Sequence, residues 1–319
     1  MNVKLITMSE VEVQPVRWLW YPYVPYGKIT LVQGDPGDGK TTFVLAVAAL
    51  LSNGKPMPES ESTEQPPQAV IYQTAEDGLA DTIKPRLVEL GADCSRIVVI
   101  DESEAPLSLS DERIELAIAK TRAKLLILDP LQAYLGVAVD MNRANEIRPI
   151  FKSLSGVAER TGCAIVIVGH MNKMTSLTKG LYRGLGSIDI AAAVRSILLV
   201  GRDKEHENTR VMAHLKSSLA PEGVPIAFKL DDDGFRWIGV YDISVDELLG
   251  GTRSERDSSK EAQAASLIFE MLKSGEKPCN EIFKRLAEYD IGRRTAENAK
   301  RTAFVRSFKK GTAWYWSLS

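Results

Sequence analysis

Through the first two thirds of the chain, apolar residues come in short unbroken runs separated by segments with a helical period. The runs are KITLVQ (28–33), AVIYQT (69–74), RIVVID (96–101), KLLILD (124–129), AIVIVGH (164–170) and RSILLV (195–200). Runs without polar alternation suit strands covered on both faces, as in a parallel sheet flanked by helices. The spacing predicts helices over 40–52, 77–90, 111–122 and 143–161. Strand and helix alternating in this way predict an α/β fold with a doubly wound, mostly parallel sheet. From 208 to 240 the texture changes to hairpin-like segments, TRVMAHLK, VPIAFKL and GFRWIGV, which predict an antiparallel edge to that sheet.

The polar stretch GGTRSERDSSK (250–260) reads as a linker. The division expected is a first domain over 1–245, a linker over 246–260 and a small module over 261–319. In that module the pattern predicts helices at 261–273, 278–289 and about 293–303, then a hairpin in VRSFKKGTAWYWSL. This order of elements looks like a winged helix. Arg294, Asn298 and Arg301 fall on one stripe of the third helix, able to grip phosphates or enter a groove, and Lys309 and Lys310 sit at the hairpin tip. Trp314 and Trp316 alternate with Tyr315, so one tryptophan face is expected to close the core.

Composition narrows the class. The chain has 319 residues, 44% hydrophobic and 26% charged, which suits one large or two unequal globular domains. The net charge of −2 gives no overall field that would draw nucleic acid or a membrane surface. Charge is uneven, however: residues 251–319 hold fourteen Lys or Arg against nine Asp or Glu. The first residues are interrupted by charges and do not read as a signal peptide. The longest apolar run, FVLAVAALL (43–51), is about half of a membrane span. Cys94, Cys163 and Cys279 lie far apart and read as reduced thiols, so a cytoplasmic protein with no membrane partner is expected. The three histidines show no metal-ligand spacing, and a metal held by protein side chains alone is not expected.

The strongest chemical signal follows the first strand. Gly34-Asp35-Pro36-Gly37-Asp38-Gly39-Lys40-Thr41, continued by Thr42, matches G-x-x-x-x-G-K-T between a strand and an amphipathic helix. Glycines let backbone amides curl around a β-phosphate, and the helix N-terminus adds its dipole. Lys40 would reach the β- and γ-phosphates, and the Thr41 hydroxyl would bind Mg²⁺. Asp129, ending KLLILD, would hold that Mg²⁺ partly through water, although a strand-terminal turn Asp before Pro has the same look.

The run AVIYQTAEDG drives an apolar strand straight into Glu76 and Asp77. In a parallel sheet the strand C-termini gather on the rim where phosphates bind. Were strand 69–74 the neighbour of the phosphate-loop strand, Glu76 would come close to the γ-phosphate and polarise an attacking water. Asp77 would then open the next helix, where negative charge is favoured; both could equally be helix caps. His170, ending AIVIVGH, would reach the same rim and contact the γ-phosphate or the water, unless it is a satisfied core histidine. Asn172-Lys173-Met174-Thr175 lacks the Asp that reads guanine, so the nucleotide expected is ATP.

These segments together resemble RecA-type ATPases, in particular the RepA-like hexameric helicases of the AAA_25 group. The resemblance rests on WLWYPYVPYGKITLVQGDPGDGKTT, YQTAED, LLILDPLQAYLG, VIVGHMNK, RGLGSIDIAAAVRSILLVGRD and AHLKSSLAPEGVPIAFKL, over roughly residues 15–240. It implies a RecA-like fold, and a homo-oligomer, usually a hexameric ring, with ATP at each subunit boundary. It also implies a DNA substrate, single-stranded or forked. The neighbouring subunit would supply a cation to the γ-phosphate, for which Arg195, Arg202 and Lys216 are the candidates. Lys216 matches a Lys-x-Arg pair of DnaB-like relatives, but here Lys216-Ser217-Ser218 lacks the Arg. Loops 136–146 and 172–187 would face the channel, the second offering Lys173, Lys179 and Arg183 to a DNA backbone. The function this implies is ATP-driven movement on DNA. The alternatives are a filament-forming recombination mediator and an ATP-switched regulator of DNA binding.

Overall fold

The computed structural model describes residues 5–60, 65–136, 139, 143–170, 188–249, 255–273, 275–289, 291–302, 305–310 and 313–318. Two units are distinct, Met1–Leu249 and Gly250–Ser319.

The first unit opens with a hairpin, β1 (Trp18–Trp20) and β2 (Val24–Pro25), followed by β3 (Ile29–Gly34) and α1 (Lys40–Ser52). Next come β4 (Val70–Thr74), α2 (Lys84–Glu89), β5 (Ile97–Val98), α3 (Glu112–Thr121), β6 (Leu125–Asp129) and α4 (Ala144–Thr161). The unit closes with β7 (Ala164–His170), α5 (Ile188–Ala193), β8 (Ser196–Arg202), β9 (Thr209–Ser217), β10 (Ile226–Asp231), β11 (Gly234–Val240) and α6 (Val245–Leu248). Nine of these strands form one sheet in the order β11-β10-β9-β8-β3-β7-β6-β4-β5. Pairing is parallel from β8 through β5 and antiparallel from β8 through β11. The doubly wound, mostly parallel sheet with an antiparallel edge is therefore the fold.

Unbroken apolar runs make this possible because successive side chains face opposite sides of a strand. Leu31, Leu126, Leu128, Ile165 and Ile167 fill one core with Ile147, Phe151 and Leu154 of α4. Val32, Leu125, Ile127, Val166 and Val168 fill the other with Phe43, Val44 and Val47 of α1, roofed by Trp20 and Tyr23. Helix α1, expected to be amphipathic, is instead apolar on nearly every side and buries most of its residues, as a helix enclosed between layers must.

Four further expectations change. Strand 69–74 does not neighbour the phosphate-loop strand, because β7 and β6 lie between β3 and β4. The strand expected over 96–101 pairs only at Ile97 and Val98. Beyond that, Gln73 replaces the ladder, accepting from the Ile100 N–H at 2.9 Å and donating to its carbonyl at 3.0 Å. The helix expected over 77–90 is a wide π-turn, Leu79–Ile83, leading into α2. Pro85 has no N–H for the bond an ordinary helix would make back to Asp81, and the turn just before it is the one that widens. Finally, residues 255–260 of the expected linker are helical, the start of α7 (Glu255–Leu272). After Gly251 that stretch contains no Gly or Pro to stop a helix.

The second unit continues with β12 (Lys277–Pro278), α8 (Cys279–Ala287), α9 (Arg293–Thr302), β13 (Val305–Lys310) and β14 (Ala313–Leu318). Its three strands pair antiparallel in the order β12-β14-β13. Trp316 is 1% exposed at the centre of its core, against Ile268, Leu272, Ile282 and Leu286, whereas Trp314 on the same strand is 56% exposed.

Candidate phosphate site

The loop from Gly34 to Lys40 joins a fully buried strand to a buried helix, so its path is fixed at both ends. Gly37 and Gly39 sit at φ +82° and +86°, the left-handed region where a side chain is strained. Asp35, Pro36 and Gly37 are exposed, Asp38 and Gly39 half-buried. Lys40 is 5% exposed, and its Nζ donates to the carbonyls of Gly34 at 2.9 Å and Asp35 at 2.8 Å. Burial pulls the Lys40 pKa down, opposed by the charges of Asp38, Asp129, Asp35 and Glu76. Thr42 is half-buried beside Thr41 in the first turn of α1.

Thr41 and Asp129 meet directly, although they are far apart in sequence. The Thr41 hydroxyl donates to Asp129 Oδ2 at 2.8 Å, and the Tyr72 hydroxyl donates to the same oxygen at 3.2 Å. Asp129 is 6% exposed; burial raises its pKa while the two hydrogen bonds act the other way. Sequence reasoning does not single out Tyr72. Its signal is a polar-tipped side chain inside a mostly apolar run, two residues before Thr74, the register partner of Asp129. The hydroxyl and the carboxylate are hard oxygen donors of the kind Mg²⁺ takes, so this pair fits that ion.

Glu76 lies two residues beyond β4 and is exposed. It reaches the site although two strands intervene, because β4 pairs with β6, the strand that carries Asp129. Its negative charge is felt at both Asp129 and Lys40. Asp77 is engaged elsewhere, accepting from Arg86 at 3.1 Å. His170 ends β7 directly across from Gly34. Its Nδ1 is buried and has no protein partner among the described residues.

The three cations considered for a neighbouring site separate into two places. Arg202, at the C-terminal end of β8, touches its own phosphate loop: Nε donates to Asp38 at 3.2 Å and an Nη to the Gly37 carbonyl at 2.7 Å. Arg195 and Lys216 lie at the opposite end of the sheet. Arg195 is exposed just before β8, and Lys216 donates to the α5 carbonyl of Ala191 and to that of Val194 just beyond it. Lys173, Lys179 and Arg183 fall outside the described residues, as does part of loop 136–146. Arg294, Asn298 and Arg301 are all on α9. Lys309 is exposed on β13, and Lys310 pairs with Glu276 and lies over Tyr315.

A glycine loop, a buried lysine and a hydroxyl–carboxylate pair at the C-terminal rim of a RecA-like sheet define a P-loop ATPase domain. The sequence profile of the AAA_25 family, described as an AAA domain, matches residues 4–176, and the chain belongs to that family. It is 26% identical over 210 residues to the DNA repair protein RadA of Halalkalibacterium halodurans, covering 65% of this chain and 40% of that protein. To the DNA repair protein RadA of Brucella abortus it is 24% identical over 232 residues, covering 72% and 44%. The chain thus spans only about two fifths of the length of these curated relatives. Among solved structures, one that consists of an ATPase domain superposes with a TM-score of 0.51 at 16% identity, over 68% of this chain and 86% of that one. That likeness carries the fold.

Proposed function

We propose that this chain is an Mg²⁺-dependent ATPase that works at the subunit boundaries of a homo-oligomeric ring, most simply a hexamer, and couples hydrolysis to movement along single-stranded or forked DNA. The observation that carries the chemistry is the convergence of Glu76, Lys40, Asp129 and His170 on one rim. Glu76 takes the proton of a water that attacks the γ-phosphorus; the bond to the bridging oxygen breaks, leaving ADP and inorganic phosphate. Lys40 balances charge on the β- and γ-oxygens, and the Nδ1 of His170, without a partner among the described residues, would be available to the γ-phosphate or to the water. Thr41 and Asp129 would hold Mg²⁺, which offsets phosphate charge when bound.

Arg195 and Lys216 suit the role of cations offered to a neighbouring site, since they lie at the end of the sheet remote from the loop of their own subunit. Three helices and a three-stranded antiparallel sheet among the described residues of the second unit support reading it as a winged helix. Its α9 and exposed Lys309 are the surface proposed for DNA.

Glu76→Gln tests the chemistry: ATP binding should persist while turnover falls at least a hundredfold, and activity within a few-fold of wild type would refute the assignment. Turnover measured with and without single-stranded DNA at two salt concentrations tests the coupling; no stimulation and no salt-sensitive binding would remove DNA from the reading. The curated relatives named as DNA repair proteins favour a second reading, a recombination-type ATPase on single-stranded DNA. Electron micrographs with ATP and DNA separate the closed rings of the first from the filaments of the second.

A further inference from the structure

The phosphate loop carries two carboxylates of its own, Asp35 and Asp38, and Asp129 and Glu76 act on the same lysine. For a loop meant to wrap a polyphosphate this is adverse, because each fixed negative charge repels the ligand. Asp38 is the more constrained of the two. Its side chain is only 13% exposed, and its Oδ2 accepts the Asp35 N–H at 3.0 Å. The carboxylate is thus built into the turn and cannot swing away without breaking it.

Arg202 answers this charge. It contacts Asp38 Oδ1 and the Gly37 carbonyl together, so one planar guanidinium holds a side chain and a backbone group of the same loop. Its register partner on β9 is Arg210, 7% exposed, which packs under Gly39 and whose Nε has no partner among the described residues. The loop is therefore seated on the Arg202 guanidinium and the aliphatic stem of Arg210, whose own guanidinium donates to the carbonyls of Glu207 and Thr209.

Resting on the nucleotide reading above, we infer that Arg202 is a positioning residue for the nucleotide of its own subunit, cancelling the Asp38 carboxylate so that the loop accepts a triphosphate. The pair is a matched set. Removing Arg202 leaves Asp38 charged beside the phosphates, and removing the Asp38 charge makes Arg202 dispensable.

The test is a double-mutant cycle read by titration with a fluorescent ATP analogue, using the full chain. Arg202→Ala should weaken binding by roughly tenfold or more, about 1.4 kcal/mol per tenfold. Asp38→Asn alone should bind at least as tightly as wild type. Arg202→Ala combined with Asp38→Asn should recover to within about threefold of wild type. A merely structural arginine would not be rescued by removing a charge, and the single Asp38→Asn variant keeps the wild-type arginine should Arg202→Ala fail to fold. Unchanged binding in Arg202→Ala, with turnover alone lost, would overturn the inference and return Arg202 to the neighbour's site. Equal weakening in the single and double variants would also overturn it. Failure of the wild-type chain to bind the analogue would instead remove the nucleotide reading itself.

Discussion

Acidification should destabilise the ATPase domain through one side chain, His214 on β9. His214 is 3% exposed; its Nδ1 accepts the Gly223 N–H at 3.0 Å, and its Nε2 lies 3.0 Å from Ser196 Oγ. Accepting at Nδ1 puts the proton on Nε2, where it is donated to Ser196. An imidazolium would point a second N–H at the one Gly223 already supplies. Burial pushes the His214 pKa down from 6.5 to about 4. Because the folded pKa is the lower one, the unfolded chain binds more protons between the two values. The contribution is therefore present above about pH 6.5 and lost as pH falls towards 4. In full it is worth about 3 kcal/mol, of which about 2 kcal/mol is gone by about pH 5. Chemical denaturation of wild type and His214→Gln at about pH 7.5 and 5 isolates this share, since all other titrating groups are common to both. The variant should start less stable and lose about 2 kcal/mol less on acidification. Equal losses, or an NMR titration placing His214 near 6.5, would refute the reasoning.

Two further outcomes concern packing. A Cβ at Gly34 would lie 2.1 Å from the Val200 carbonyl oxygen, so Gly34→Ala must force β3 and β8 apart. A loss of about 3 kcal/mol or more is expected from the denaturation midpoint, and a shift under about 0.5 kcal/mol would contradict the close approach. In the second unit, Trp316→Ala empties a centre that holds Phe283 edge-on and Lys300 over the indole. It should cost about 3–5 kcal/mol there, seen as lost hydrogen-exchange protection in α7, α8 and α9. Unchanged protection would mean that the core does not depend on the indole.

The fold class is readable because a strand buried on both faces is apolar nearly throughout, as β6 and β7 are up to their ends and β3 is apart from Thr30 and Gln33. Strand order is not, since nothing in VIYQT says whether its neighbour is β3 or β6. That missing fact is why the sequence points Glu76 to a place beside the phosphate-loop strand, whereas it lies beyond the Asp129 strand. The phosphate loop is legible as a local motif. Tyr72 is not, because its partner is supplied by another strand. Arg202 looks the same as Arg195 in sequence, two cations at the ends of one run. Only the parallel pairing of β8 with β3 puts one of them against the loop and the other a strand's length away. The helical start of α7 is hidden by its polar composition, which signals exposure and not conformation.

Strand β8 and its partner β9 carry a cation at each extremity: Arg202 and Arg210 under the glycines, Arg195 and Lys216 about 20 Å off. Between them every residue of β8 is buried and laddered up to Gly201, but the register slips once, between Ile197 and Leu198 opposite Leu215, and a bulge of this kind bends a hairpin. The ladder is continuous from Leu198 to Arg202, so the nucleotide end moves as one piece, and the bulge is the place where such a movement would be turned before it reached Arg195 and Lys216.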